Sequence, residues 1–192
     1  MPTMHVQTNK QIVLEIMASQ MSISTINALD FKEFIRRFGN VVEGTSLCAA
    51  ALFSKRPFAS FDQFVTVMWQ LFDDLPDHCK EGILRNHRDL ASRWEALSAE
   101  SKREQTQAGI SIKSLSTKES QEMEYLNEMY KKKFEFPFVI CSRLNNKEGI
   151  SKQIRTRLNN DKDVELKHGI EEVKKIVLLR MKDLVAYGNS KL

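Results

Sequence analysis

Seven glycines and four prolines in 192 residues constrain this chain more than any other feature of its sequence. That is about half the usual share. Sheet-rich folds spend both residues at turns between short strands, so the shortage directs the chain towards helices with few connections. Its length suits one domain with a short extension. Such a chain buries about two-thirds of its unfolded surface around one core without metals or disulfides. Hydrophobic residues at 42% and charged residues at 28% exclude wholesale disorder. No apolar run approaches the ~18 residues of a membrane span, so a transmembrane protein is excluded.

Local signals predict an all-α, single-domain, multi-helix bundle. Asn9 to Met21 is weakly amphipathic, with Ile12, Val13, Ile16 and Met17 as its apolar residues. Residues 1–22 are accordingly expected to form an N-terminal extension, helical or partly disordered. Asp30 followed by Glu33 reads as a capping box for a helix through Phe31, Phe34, Ile35 and Phe38, stopped at Gly39-Asn40. Leu47 to Phe53 is a short apolar helix ended by Arg56-Pro57. Ser60 caps a core-facing helix carrying Phe61, Phe64, Val65, Met68, Trp69 and Phe72. Further helices are expected near Asp77–Leu90, Ala99–Gly109, Lys118–Phe134, Lys147–Leu158 and Val164–Ala186. Residues 136–141 are the one strand-like run, and Pro137 makes it a buried extended segment rather than a central strand. The domain is expected over residues 23–187, with an exposed tail at 188–192.

Charge and cysteines narrow the partners and the compartment. The 29 basic residues exceed the 25 acidic ones by a small, dispersed margin. Arg36-Arg37, Lys131-Lys132-Lys133 and Lys174-Lys175 are each flanked by acids or apolar residues, which describes solvated helix surface and not a nucleic-acid footprint. Cys48, Cys79 and Cys141 are odd in number and lack a C-x-x-C pair, as suits a reducing interior. Ile12-Val13-Leu14, followed by Glu15, is too short for a secretory signal. Ser190-Lys191-Leu192, by contrast, is the S-K-L tripeptide read by a peroxisomal import receptor, and Gly188-Asn189 before it is a helix stop. The expected localisation is the peroxisome.

Polar residues on core faces are where chemistry is sought, because they cost stability unless paired. Leu166, Ile170, Val173, Val177 and Leu184 form a core stripe, and its seven-residue gap splits at Arg180. This arginine is either half of a structural ion pair or an anion-binding group. His87 lies four residues after Ile83 and three before Leu90, on an apolar helix face, where it is a hydrogen-bonded core residue or a proton-transfer group. His78 falls in an expected turn, His168 on a charged helix and His5 in the N-terminal segment. Ser101, Glu104, Gln105 and Ala108 share one helix face, which by periodicity alone is exposed polar surface. Metal, P-loop, dinucleotide and nucleophile-elbow motifs are all missing, so a site here is cofactor-free and metal-free, built from His, Glu, Gln, Ser and Arg.

Eight runs in order carry a resemblance. They are residues 38–43 (FGNVVE), 80–85 (KEGILR), 86–91 (NHRDLA), 104–109 (EQTQAG), 126–130 (Leu126-Asn127 through Tyr130), 136–141 (FPFVIC), 144–147 (LNNK) and 171–176 (EEVKKI). Together they resemble the 2-oxo-4-hydroxy-4-carboxy-5-ureidoimidazoline decarboxylases of urate breakdown, over about residues 23–185. The resemblance implies an all-helical, usually dimeric, cofactor-free decarboxylase that forms (S)-allantoin from this small-molecule substrate. It implies that His87 and Glu104 are catalytic, that Ser101, Gln105 and Arg180 bind substrate, and that the backbone of Val139-Ile140-Cys141 lies over it. The sequence departs from the family pattern twice. Arg88 follows the histidine where the family has proline, and Glu135 stands between two phenylalanines where the family favours glycine. The competing expectation is a non-catalytic helical binding module that kept the fold.

Overall fold

The computed structural model describes residues 20–88 and 117–187. They form eight α-helices: α1 Ile23–Ala28, α2 Phe31–Phe38, α3 Ser46–Phe53, α4 Phe61–Asp74, α5 Asp77–Asn86, α6 Thr117–Phe134, α7 Lys147–Arg157 and α8 Lys162–Leu184. A 3₁₀ turn at Ser142–Leu144 precedes α7. No strand occurs among the described residues, where one parallel bridge joins Met21 to Val185. The fold is all-α, as the glycine and proline shortage predicts. Residues 1–19, the expected polar helix at 99–109 and the tail at 188–192 lie outside the described residues.

The helix starts follow local chemistry. Asp30 accepts from the Glu33 amide at 2.8 Å, Ser60 from that of Gln63 at 3.1 Å, and Asn146 from that of Gly149 at 2.8 Å. Each such cap stabilises its helix by about 1 kcal/mol. Helix α1 is too short for periodicity to reveal, and its one signal is Ser22, which caps Thr25. Three expectations are corrected. Met21 is in the bridge with Val185 and not in a helix. His78 lies in the first turn of α5 instead of a turn before it. Finally, α5 stops at Asn86 and does not run on to Leu90.

Two aromatic clusters form the core. Phe34, Phe38, Phe58 and Phe64 pack in tilted and edge-on pairs between α2 and α4. Tyr130, Phe134, Phe136 and Phe138 pack in tilted, edge-on and stacked pairs beneath α6 and pull the 136–141 segment inside. Burying each such ring contributes about 1.5–3 kcal/mol. Helix α8 runs through the centre, with Leu166, Ile170, Val173, Ile176, Val177 and Met181 all buried. It meets α5 at Gly169, where an added Cβ would stand 2.7 Å from Cδ1 of the fully buried Leu84. That close approach seats α5, whose end carries His87, against the helix that carries Arg180.

Candidate active site

The end of α5 is built around His87. Its backbone is extended (φ −74°, ψ 141°) and its amide bonds the Leu84 carbonyl at 3.1 Å. The Ile83 carbonyl, which the amide of residue 87 would take in a continuing helix, instead receives the His87 ring through Nδ1 at 3.0 Å. The side chain thus caps the last turn of the helix, and Arg88 is exposed beyond it. A carbonyl oxygen only accepts, so Nδ1 carries the hydrogen and Nε2 holds a lone pair in the neutral ring. That Nε2 is buried and has no hydrogen-bond partner among the described residues. Burial holds the ring below its ordinary pKa of 6.5, against the opposing pull of the Ile83 bond and of Glu43, while Arg180 adds to the lowering.

Arg180 reaches this place from α8. Its Nη1 donates to the Asn40 carbonyl at 3.1 Å and lies 3.4 Å from that of Val41, and its Nη2 stands 3.6 Å from the Glu43 carboxylate. Both charged side chains are buried. Glu43 sits in the turn between α2 and α3, where Gly44 adopts φ 63° and passes so close to Asn86 that a Cβ would lie 3.3 Å from the asparagine's own. Asn86 Nδ2 donates to Thr45 Oγ1 at 3.0 Å, and Gly44 N–H to Asn40 Oδ1 at 3.2 Å. The residue preceding His87 thus docks the turn that presents Glu43. One buried locus holds a histidine, an arginine and a glutamate from three separate segments.

The backbone from Glu135 to Cys141 is tied to the same two helices. Arg85 of α5 donates through Nε to the Glu135 carbonyl at 3.0 Å, two residues before His87. The Cys141 amide donates to Glu172 of α8 at 2.8 Å, and Arg143 forms an ion pair with Asp183 of α8 at 2.7 Å. From α7, Arg157 Nη1 donates to the Val139 carbonyl at 3.0 Å. The side chains of Val139, Ile140 and Cys141 are all buried, so whatever this segment offers a ligand it offers from its backbone. At the segment's start, Glu135 has φ 65°, the left-handed conformation that favours glycine.

Of the residues singled out from sequence, His87 and Arg180 come together, and the backbone of the Val139-Ile140-Cys141 run is fastened to α7 at Val139 and to α8 at Cys141. Ser101, Glu104, Gln105, Ser190, Lys191 and Leu192 lie outside the described residues. Among the described residues no group of three or more His, Cys, Asp or Glu side chains could hold a metal ion. No helix there is long and apolar enough to cross a membrane. Glu43 was not singled out from sequence because a turn has no periodicity to violate. Arg157, which forms a buried ion pair with Glu165, was legible by the rule that found Arg180: it completes the stripe Ile150, Ile154, Arg157 at i, i+4, i+7.

Comparison with known proteins supplies what geometry does not. A model described as OHCU decarboxylase matches residues 27–182. The 2-oxo-4-hydroxy-4-carboxy-5-ureidoimidazoline decarboxylase of Xenopus laevis is 43% identical over 85% of this chain and 94% of its own length. That of Amia calva is 45% identical over 86% and 95%. A crystal structure of OHCU decarboxylase in the presence of (S)-allantoin shares the fold at a TM-score of 0.61, with 23% identity over 74% of this chain and 93% of that one. The eight short runs, the helical bundle and these matches agree: the chain belongs to the OHCU decarboxylase family.

Proposed function

We propose that this protein decarboxylates 2-oxo-4-hydroxy-4-carboxy-5-ureidoimidazoline to (S)-allantoin in urate degradation, without a cofactor. The observation that carries the assignment of the base is the His87 ring, which spends Nδ1 on the Ile83 carbonyl and keeps a buried Nε2 without a hydrogen-bond partner among the described residues. The substrate's carboxyl carbon is attached next to a ring imine. When the bond to carbon dioxide breaks, its electron pair passes into the ring and the imine nitrogen takes it up, so no external electron sink is required. The substrate carboxylate is already ionised near neutral pH, which leaves the neighbouring hydroxyl as the proton source for His87 Nε2. His87 then returns that proton to one face of the ureido carbon as the hydroxyl oxygen becomes the carbonyl, the ring nitrogen takes a proton from water, and the face protonated sets the hand of allantoin.

Acid–base catalysis by a positioned group contributes about 10²–10⁴-fold. Arg180 and Gln105 bind the anionic and amide edges of the substrate, Ser101 assists, and Glu104 orients the histidine or the ureido group; these roles rest on the family resemblance. The expected result is rapid formation of one allantoin enantiomer, followed by circular dichroism, when the protein joins urate undergoing enzymatic oxidation and hydrolysis. Slow racemic product at the spontaneous rate would mean a non-catalytic binding module. Near-normal turnover by His87→Asn would overturn the base assignment alone.

The remaining parts of the reading concern place and assembly. Ser190-Lys191-Leu192 supports import into the peroxisome, and a cytosolic reporter carrying the last dozen residues would refute it. The homodimer is carried over from the family resemblance. A monomer in sedimentation equilibrium at enzyme-assay concentrations would refute that.

A further inference from the structure

Glu43 lies outside the set of residues assigned a role above, yet among the described residues it is the acidic side chain at the His87–Arg180 locus. Burying a carboxylate is costly unless a cation answers it. Here the cation is Arg180, at 3.6 Å, and the turn that presents Glu43 is docked on Asn86, next to the histidine. Among the described residues, the charged groups acting on the His87 ring are Glu43 from the α2–α3 turn and Arg180 from α8, and they act in opposite senses. An arginine alone beside a buried imidazole would oppose the imidazolium that forms when Nε2 accepts a proton. A carboxylate at the same locus offsets that opposition, and also fixes where the guanidinium stands.

We propose that Glu43 is a positioning residue of this reaction: its carboxylate holds Arg180 against the Asn40–Glu43 turn and offsets the arginine's charge at the His87 ring, so that Nε2 can take up the substrate proton. The proposal rests on the reading of His87 as proton acceptor. It concerns a residue that touches Arg180 and acts on His87 through charge, without touching the reacting atoms.

The test uses the full chain, freshly generated substrate, and NMR titration of the His87 ring. In Glu43→Gln, His87 titrates at lower pH than in the parent, the acid limb of kcat/KM moves to lower pH with it, and kcat falls about 10-fold or more, a part of the acid–base contribution. Glu43→Asp, which keeps the charge, restores the titration towards the parent value. A Glu43→Gln protein in which the His87 titration is unmoved overturns the proposal, whatever its activity, because a purely structural glutamate would behave so. Should Glu43→Gln fail to fold, Arg180→Gln and the Glu43→Gln/Arg180→Gln pair report the same quantity. His87 titrates at lower pH in the double variant than in Arg180→Gln, and equal midpoints overturn the proposal. Near-normal turnover by His87→Asn defeats the underlying base assignment instead, so the two failures are distinguishable.

Discussion

Two buried arginines each stand on the apolar stripe of their helix and serve different ends. Arg157 closes a network: its Nε donates to Glu165 at 2.7 Å, Nη1 to the Val139 carbonyl at 3.0 Å and Nη2 lies 3.4 Å from the Tyr130 hydroxyl. Its guanidinium also stacks 4.7 Å from the Phe138 ring, and Asn160 takes the second oxygen of Glu165 at 2.8 Å. Burial first, and the Glu165 carboxylate with it, push the Tyr130 hydroxyl far above its ordinary range. Arg180 stands further from its carboxylate, at 3.6 Å, and acts on a histidine whose Nε2 has no hydrogen-bond partner among the described residues. A saturated network leaves nothing for a ligand and works as a structural clamp on the 136–141 segment. The looser one, next to an uncommitted base, is where chemistry can occur.

That contrast is open to direct test. Arg157→Met strands the fully buried Glu165 without its cation, and the expected loss is about 3–5 kcal/mol of stability, read from the urea midpoint. Arg180→Met is expected to lose less stability and most of its turnover. Equal stability losses from the two variants would erase the distinction. Gly169→Ala presses a methyl into Leu84 and costs about 1–3 kcal/mol as an overpacked core contact. Because it moves α5 against α8, it should also lower kcat, whereas an overpacked site remote from His87 would not.

The pH dependence of stability sharpens the comparison from the histidine's side. Burial lowers the His87 pKa in the folded state below the unfolded value of 6.5. The unfolded chain therefore binds more protons as pH falls through that value, and stability is full above it and declines from there towards the folded pKa. His87→Asn should lack that part of the acid-side decline in urea-midpoint measurements between pH 7 and 5. An identical slope in both proteins would show that the ring is not held neutral. The smallest effect concerns Glu135. Replacing it by glycine relieves the φ 65° backbone, and Lys162 keeps its second carboxylate, Glu81, at 3.1 Å. The expected gain is about 2–4 °C in Tm, and a loss would mean that the Lys162 contact outweighs the backbone strain.

The sequence by itself determined the helical class, most helix starts and the stripe on which Arg180 interrupts an apolar face. These are short-range properties: capping and amphipathic spacing depend on residues three or four apart. The family resemblance, also a matter of sequence, brought His87 and Arg180 into one expected site. What only the tertiary structure decided is how α5 ends and what surrounds its end. No local pattern shows that the His87 ring takes the Ile83 carbonyl, or that a turn more than forty residues upstream brings Glu43 to an arginine more than ninety residues downstream. The physical reason is that a charge on a core face states only that a partner must exist. Which partner it finds is set by how the helices pack, and here the close contact of Gly169 with Leu84 and the docking of Asn86 on the Gly44–Thr45 turn set it.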